Sequence, residues 1–274
     1  MLLALPIGIL IGLSLGALGG GGSILTVPAL VYLLGESPHS ATTASLIIVG
    51  VTSVVAMAVH LRAGSVRVRA GIVFGVLGAG GAFAGSRLSA SIDPNALLVA
   101  FSVLMAGAAA AMLYRQRSGA AKAAELPTTA SPPVRRPPPR AASLAQAAPA
   151  VSPVRVVIAA TIVGLVTGFF GVGGGFVVVP ALVLALGFDM PAAVGTSVLV
   201  IAINSASALL SRLGTHASIS AALLITFTAA AVVGAIAGSR VASRVRPEFL
   251  SVAFAFLMIA IALYTAARSI PALV

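Results

Sequence analysis

The chain has 274 residues, of which 59% are hydrophobic and only 8% are charged. A soluble domain carries about 25% charged residues, so this composition excludes a soluble globular protein and predicts one surrounded mainly by the lipid bilayer. The net charge of +11 would suggest nucleic-acid binding in a soluble protein. Here the basic residues fall mostly in predicted loops and a central linker, where retention on the cytoplasmic side of a membrane explains most of them, and we expect no nucleic-acid partner. The absence of cysteine excludes disulfides and thiolate metal sites.

The first apolar segment, residues 2–35, is too long for one membrane crossing, which takes about 20 residues. Glycines at 19–22 interrupt it, and glycine weakens a helix. The segment is therefore either a tilted, broken helix or a hairpin that enters the membrane and returns to the same side. A cleaved secretory leader is not expected, because no Lys or Arg precedes the apolar run and its end is repeated in the second half of the chain.

Three shorter apolar segments follow, each long enough to cross a bilayer. They lie at residues 41–61, 70–91 and 95–114. Residues 116–153 are proline-rich and basic with few large apolar side chains, which predicts a disordered cytoplasmic linker. The same order of segments then returns, at residues 155–187, 191–213, 218–243 and 248–267. The linker thus separates an N-terminal membrane repeat, 1–115, from a C-terminal membrane repeat, 154–274.

The two halves are related in sequence. Residues 16–35 read GALGGGGSILTVPALVYLLG and residues 168–187 read GFFGVGGGFVVVPALVLALG, with matching glycines and a shared PALV string 152 positions apart. Further along, after one inserted residue, the strings GSRL and GSRV align Arg87 with Arg240. A glycine-interrupted apolar segment at corresponding positions of two halves is the best sequence pointer to the substrate site of a repeat-built transporter.

The distribution of arginine favours the hairpin over the broken crossing. With the basic linker inside, the loop that carries Arg62, Arg67 and Arg69 is also inside. The arginines within residues 240–246 join it there only if the first segment of the second half returns to its own side. Each half then has an odd number of crossings, which makes the halves inverted copies. The predicted fold is an all-α integral membrane protein of two inverted repeats, each a glycine-broken re-entrant helix hairpin plus three transmembrane helices.

The acidic residues all sit at segment ends or in the linker: Glu36, Asp93, Glu125, Asp189 and Glu248. No carboxylate is expected mid-membrane, where it would mark a proton relay or a cation site, so a metal or other cation is disfavoured as the substrate. A sodium site built from carbonyls and hydroxyls remains open. The chain has no Walker, GxSxG or His-Glu-x-x-His string, so we expect neither an enzyme nor a bound cofactor.

The glycine motifs favour an anion. Where each helix restarts after its break, free backbone N–H groups and a positive dipole end are available to the oxygens of a sulfite, sulfonate or carboxylate. The candidate substrate-binding residues are Gly19, Gly20, Gly21, Gly22 and Ser23 in the first break, Gly171, Gly173, Gly174 and Gly175 in the second, and Ser45, Ser197 and Asn204 in the second segments. The alternative is structural: the glycines let helices pack closely, and the polar side chains bond within or between helices.

Three other basic positions have ordinary explanations. Arg87 and Arg240 lie near segment ends, where long cationic side chains reach the interface as anchors; recruitment of anions is the alternative. His60 ends its segment and is expected at the interface rather than in a site. The second half has Arg212 at the matching position, so a role of this histidine would not be duplicated.

The doubled glycine motif followed by PALV resembles the TauE/SafE sulfite exporter family. The AxxxS strings at residues 41–45 and 193–197 and the HLRAG string at 60–64 are similar to that family as well. The resemblance covers both halves and implies a bacterial inner-membrane carrier of sulfite, of sulfonates such as sulfoacetate, or of related organic anions. It implies substrate contacts in the two glycine breaks and at Ser45 and Ser197.

Together these features predict a multi-pass secondary transporter of a small sulfur-containing anion that works by alternating access, with export favoured by the family name. Two alternatives stay open. One is a carrier of another small organic anion such as a carboxylate, and the other is a membrane assembly partner that does not transport. A homodimer is also left open.

Overall fold

The computed structural model describes residues 4–89, 94–124, 153–170, 175–212, 220–242, 245 and 247–269, and the regular structure in these ranges is helical. The first half contains α1 (Ala4–Leu18), α2 (Gly21–Pro28), α3 (Pro38–Arg62), α4 (Val68–Ser89) and α5 (Pro94–Ala124). The second half contains α6 (Pro153–Phe170), α7 (Gly175–Leu184), α8 (Met190–Ser211), α9 (Ala221–Ala242) and α10 (Pro247–Ser269). The prediction of an all-helical protein is therefore confirmed for the described ranges.

Helix length and composition agree with a membrane protein. Within the described residues, α3, α4, α8, α9 and α10 are each long and apolar enough to span a bilayer. The helix α5, predicted as one of six crossings, has a shorter apolar stretch, Val99–Tyr114, within its described residues. Large apolar side chains such as Leu10, Val103 and Phe249 are exposed, as expected where lipid is the solvent. The multi-pass membrane prediction is confirmed.

The first long segment is a hairpin rather than a tilted, broken crossing. Gly19 turns the chain with φ of 65°, in the left-handed region that glycine adopts without strain. The helix α2 then folds back along α1. Gly22 lies so close to α1 that a Cβ there would collide with the backbone of Leu15 and Ile11. A π-helical turn, Ala29–Leu33, continues α2 directly after Pro28. In the second half α6 packs against α7; the residues between them, 171–174, lie outside the described residues.

Each of the two closest helix pairs joins one helix of the first half to one helix of the second half, and the two pairs correspond to each other in the repeat. The helix α1 packs on α9, and its counterpart α6 packs on α4. A Cβ on Gly12 would collide with the carbonyl of Ala231, and at the corresponding place a Cβ on Gly164 would collide with the carbonyl of Gly78. For these glycines the structural alternative holds: small residues let two helix backbones touch.

The matching helices α3 and α8 also pack on each other, and they run in opposite directions. Gly50 of α3 faces Ser205 of α8 near the middle of both helices. Arg212, at the end of α8, hydrogen-bonds Thr42 near the start of α3. Gly195, near the start of α8, lies against Ser65, just beyond the end of α3. The α3–α4 loop and the start of α8 therefore share one end of the molecule.

The helix α5 extends into the predicted linker. The helix α5 continues to Ala124, so the first part of the stretch 116–153 is helical. Its sequence there, SGAAKAA, is rich in alanine, the residue with the highest helix propensity, and this outweighs the lack of large apolar side chains. Residues 125–152 lie outside the described residues, so disorder of that part stays a prediction.

Candidate functional site

The start of α2 and the start of α7 meet inside the bundle. A Cβ on Gly20 would collide with the carbonyl of Gly175, and a Cβ on Gly175 would collide with the Cα of Gly20, so the two backbones touch. Gly20 directly precedes α2 and Gly175 begins α7, so both contacts lie where a helix starts. Gly20 has no side chain to cap α2, which leaves the first N–H groups of that helix without a side-chain acceptor.

Two hydroxyls adjoin this contact. The Oγ of Ser197, on α8, would lie against a Cβ at Gly19, and the Oγ of Ser23 would lie 2.8 Å from a Cβ at Gly175. Both residues are fully buried. Ser23 Oγ donates to the carbonyl of Gly20 at 2.7 Å, and Ser197 Oγ donates to that of Val194 at 2.8 Å. Each hydroxyl proton therefore bonds to a carbonyl three residues earlier in the chain, as the structural alternative predicts, while each hydroxyl oxygen lies beside Gly19 or Gly175.

The other predicted site residues are distributed more widely. Gly21 begins α2, Gly22 packs against α1, and Ser45 is buried in the N-terminal part of α3. Gly171, Gly173 and Gly174 lie outside the described residues. The structure therefore brings together five of the predicted residues at one point: Gly19, Gly20, Ser23, Gly175 and Ser197.

Asn204 lies further along the same face of α8. Ser197 faces Gly19, Ile201 approaches Gly175 within 2.7 Å of a Cβ there, and the Asn204 amide oxygen lies 3.1 Å from a Cβ position at Gly78. These three positions are four and three residues apart, the spacing of one helix face. Asn204 is fully buried, and neither atom of its amide has a hydrogen-bond partner in the described structure. A buried amide without partners is costly, which marks Asn204 as a place where a ligand or water would be stabilising.

Ser53 and Ser205 were not among the predicted site residues. Both are buried, and neither hydroxyl has a partner among the described residues. They occupy matching positions of α3 and α8, near the crossing of Gly50 and Ser205. The repeat carried a signal for them, because a serine recurs at this position in both halves. The sequence does not tell an unpartnered hydroxyl from one that bonds to its own helix, as Thr52 does to Ile48.

His60 is buried by other parts of the protein at the end of α3. Its Nε2 lies 3.0 Å from the carbonyl oxygen of Gly16, and its Nδ1 lies 3.1 Å from Ser65 Oγ. Only 5% of its surface is exposed. His60 thus connects α1, just before the first glycine break, to the end of α3 and the loop that follows. This contact spans 44 residues of sequence and could not be read from local pattern.

The arginines divide into anchors and a buried cross-link. Arg87 is exposed and lies over the Phe83 ring at 5.3 Å, as expected of an interfacial anchor. Arg212 is buried and joins three helices: its Nε donates to Ser86 Oγ at 2.9 Å, and its Nη1 donates to Thr42 Oγ1 at 2.8 Å and Thr43 Oγ1 at 3.1 Å. In the described part of the chain, no group of three or more His, Asp or Glu side chains could hold a metal ion.

Comparison with known proteins agrees with this architecture. Residues 4–265 match the family model described as sulfite exporter TauE/SafE. A "probable membrane transporter protein" of Xylella fastidiosa (strain Temecula1) is 32% identical over 97% of this chain and 94% of its own length. The "probable membrane transporter protein YunE" of Bacillus subtilis is 24% identical over 72% of this chain and 74% of its own length. No solved structure gives a significant match. A match over nearly the whole chain, with membrane-length helices around the apposed starts of α2 and α7, makes this protein a member of the TauE/SafE family of membrane transporters.

Proposed function

We propose that the protein is a secondary transporter of a small sulfur-containing anion, such as sulfite or an organosulfonate, in the bacterial inner membrane. The observation that carries the proposal is the contact between Gly20 and Gly175, where two helix starts face one another within the bundle. The anion binds between them, held by backbone N–H groups of the first turns of α2 and α7. The hydroxyls of Ser23 and Ser197 add to these when they turn from the carbonyls of Gly20 and Val194 to donate to the anion. Asn204 extends the site along α8.

The electrostatics of this place suit an anion. Helix N-termini carry partial positive charge, and two of them converge here. The described acidic residues Glu36, Asp189 and Glu248 all lie at helix ends rather than beside the glycine contact. A site made of dipoles and hydroxyls, with few fixed charges, also binds weakly enough to release its anion on the other side.

Alternating access follows from the arrangement of the halves. We take the repeats to be inverted across the bilayer, which is supported by the opposite directions of α3 and α8 and by the shared end of the α3–α4 loop and the start of α8. The backbones of Gly20 and Gly175 touch in this conformation, so the hairpin tips must separate for an anion to bind. Rocking of one half against the other separates the tips toward each side in turn, and the family name favours export.

Fusion tags at the two termini are expected to report the same face of the membrane, and a tag inside residues 125–152 the cytoplasmic face. This follows from a hairpin plus three crossings in each half. Protease accessibility in oriented vesicles measures it, with a known cytoplasmic protein as the permeability control. Termini on the same face as the linker tag, or termini on opposite faces, would rule out the inverted arrangement.

Purified protein in liposomes is expected to accelerate the flux of labelled sulfite or sulfoacetate over protein-free liposomes. Ser197→Ala should lower that flux roughly tenfold or more, because a hydrogen bond to a charged ligand contributes about 1.5–3 kcal/mol. Ser102→Ala is the matched control: Ser102 is also buried and also donates to the carbonyl three residues earlier, Val99, but it lies on α5 away from the glycine contact.

The same assay separates the two alternatives. Faster flux of acetate than of any sulfur anion would favour a carboxylate carrier. No flux of any anion, from protein that remains folded by size-exclusion chromatography, would contradict transport and favour an assembly partner.

A further inference from the structure

A polar cavity opens at the end of the bundle shared by the α3–α4 loop and the start of α8. Its volume is about 450 Å³, large enough for a small oxyanion with its water. The loop residues 63–67 form one side, and Asp189, Pro191 and Ala192 form the other. The cavity is separate from the Gly20–Gly175 contact.

Arg67 places a positive charge in the lining of this cavity, and several contacts hold this residue in position. Its guanidinium lies over the Phe188 ring, 4.7 Å from the centroid, and its backbone N–H donates to Thr196 Oγ1 at 3.0 Å. Asp189 Oδ1 lies 3.9 Å from Arg67 Nη2. The Arg67 side chain is 26% exposed and that of Asp189 61% exposed. The arginine is therefore held by the protein, while the carboxylate reaches it from solvent.

The Arg67–Asp189 pair can be displaced easily. An ion pair this long and this exposed contributes little stability, because water screens it. Asp189 precedes α8 at its N-cap but makes no side-chain cap hydrogen bond, so no capping role holds its carboxylate in place. Arg62 and Arg69 flank the cavity loop, so positive charge exceeds the single carboxylate here and attracts anions.

Contacts lead from this cavity to the glycine breaks. Ser65 lines the cavity and lies against Gly195 of α8. Ser65 Oγ is 3.1 Å from His60 Nδ1, and His60 Nε2 is 3.0 Å from the carbonyl of Gly16, in the last turn of α1 before the first break. Thr196, which accepts from Arg67, adjoins Ser197 of the glycine contact.

We propose that this cavity is a second anion site, a vestibule in which Arg67 binds a small oxyanion and Asp189 is the built-in carboxylate that the anion displaces. The vestibule rests on the proposed function in one respect: the ligand is the anion that then passes to the glycine breaks. Binding in the vestibule itself does not require transport. In the topology argued above, the vestibule faces the cytoplasm.

The chain has no tryptophan, so a single Val66→Trp substitution in the cavity loop gives a local fluorescent reporter. Sodium sulfite is titrated into this reporter protein in detergent, at constant ionic strength kept with sodium chloride. Adding Asp189→Asn should tighten the apparent Kd about threefold or more, because the competing carboxylate is gone. Adding Arg67→Gln should weaken it about tenfold or more, since a charge-assisted hydrogen bond is lost. Arg67→Lys, which keeps the charge but not the planar fork, should fall between these.

Arg69→Gln is the control, because Arg69 adds charge nearby but does not line the cavity. The proposal is overturned if Asp189→Asn fails to tighten binding, if Arg67→Gln leaves it unchanged, or if Arg69→Gln weakens it as much as Arg67→Gln does. In reporter-free protein, sulfite should raise the melting temperature more in Asp189→Asn than in wild type, and the reverse order would also overturn it. Absence of flux in liposomes combined with the expected titrations would contradict the proposed function while leaving the vestibule intact.

Discussion

Gly175→Ala and Gly20→Ala are each expected to lose most anion flux while the protein remains folded. A Cβ at either position collides with the backbone of the opposite hairpin tip, so the closed contact between the two breaks cannot form as it stands. Overpacking costs typically about 1–3 kcal/mol, which lowers the equilibrium constant for forming the closed conformation roughly fivefold to more than a hundredfold. If each transport cycle passes through this conformation, flux falls by a similar factor.

The matched controls are Gly107→Ala and Gly80→Ala, because a Cβ at either glycine meets open space. Both should keep wild-type flux. Liposome flux of labelled sulfite is the measurement, with the melting temperature of each variant as the test of folding. Wild-type flux in Gly175→Ala and Gly20→Ala would remove the glycine contact from the transport cycle. A collapse of melting temperature in these two variants would instead assign the contact to stability.

The sequence predicts the same role for Gly20 and Gly22, and the structure separates them. A large side chain at Gly22 would force α2 away from Leu15 and Ile11, so the hairpin itself would be disrupted rather than the site alone. Gly174 lies outside the described residues. All glycines of a motif look alike in a sequence, whereas their roles depend on which backbone each one touches.

Much of the fold could be predicted because its signals are local or repeated. Apolar length predicted the membrane helices, Gly19 predicted the turn of the first hairpin, and the duplicated motif predicted that a new helix begins after it in each half, as α2 and α7 do. What could not be predicted depends on pairing between the halves. The burial of His60 against Gly16, the missing partners of Asn204 and the three bonds of Arg212 all arise from such contacts.

Neither half is expected to fold alone, and the two halves are expected to reassemble when they are made as separate chains cut within residues 125–152. The reason is that the closest helix packing lies between the halves, α1 on α9 and α4 on α6. A lone half would lose the backbone contact of Gly12 with Ala231 or of Gly164 with Gly78. In a bilayer that close contact is itself the driving force for association, since lipid offers apolar surface but no matching shape.

Co-expression of residues 1–124 and 153–274, with a tag on one piece only, measures this by co-purification and by flux in liposomes. The contact between α6 and α4 can be tested by the same co-purification with Gly164→Leu. Its side chain would collide with the carbonyl of Gly78 and should abolish co-purification. Gly80→Leu is the control, because it adds the same side chain to the partner helix α4 where a Cβ meets open space. A first half that is monodisperse and thermally stable on its own would contradict the prediction.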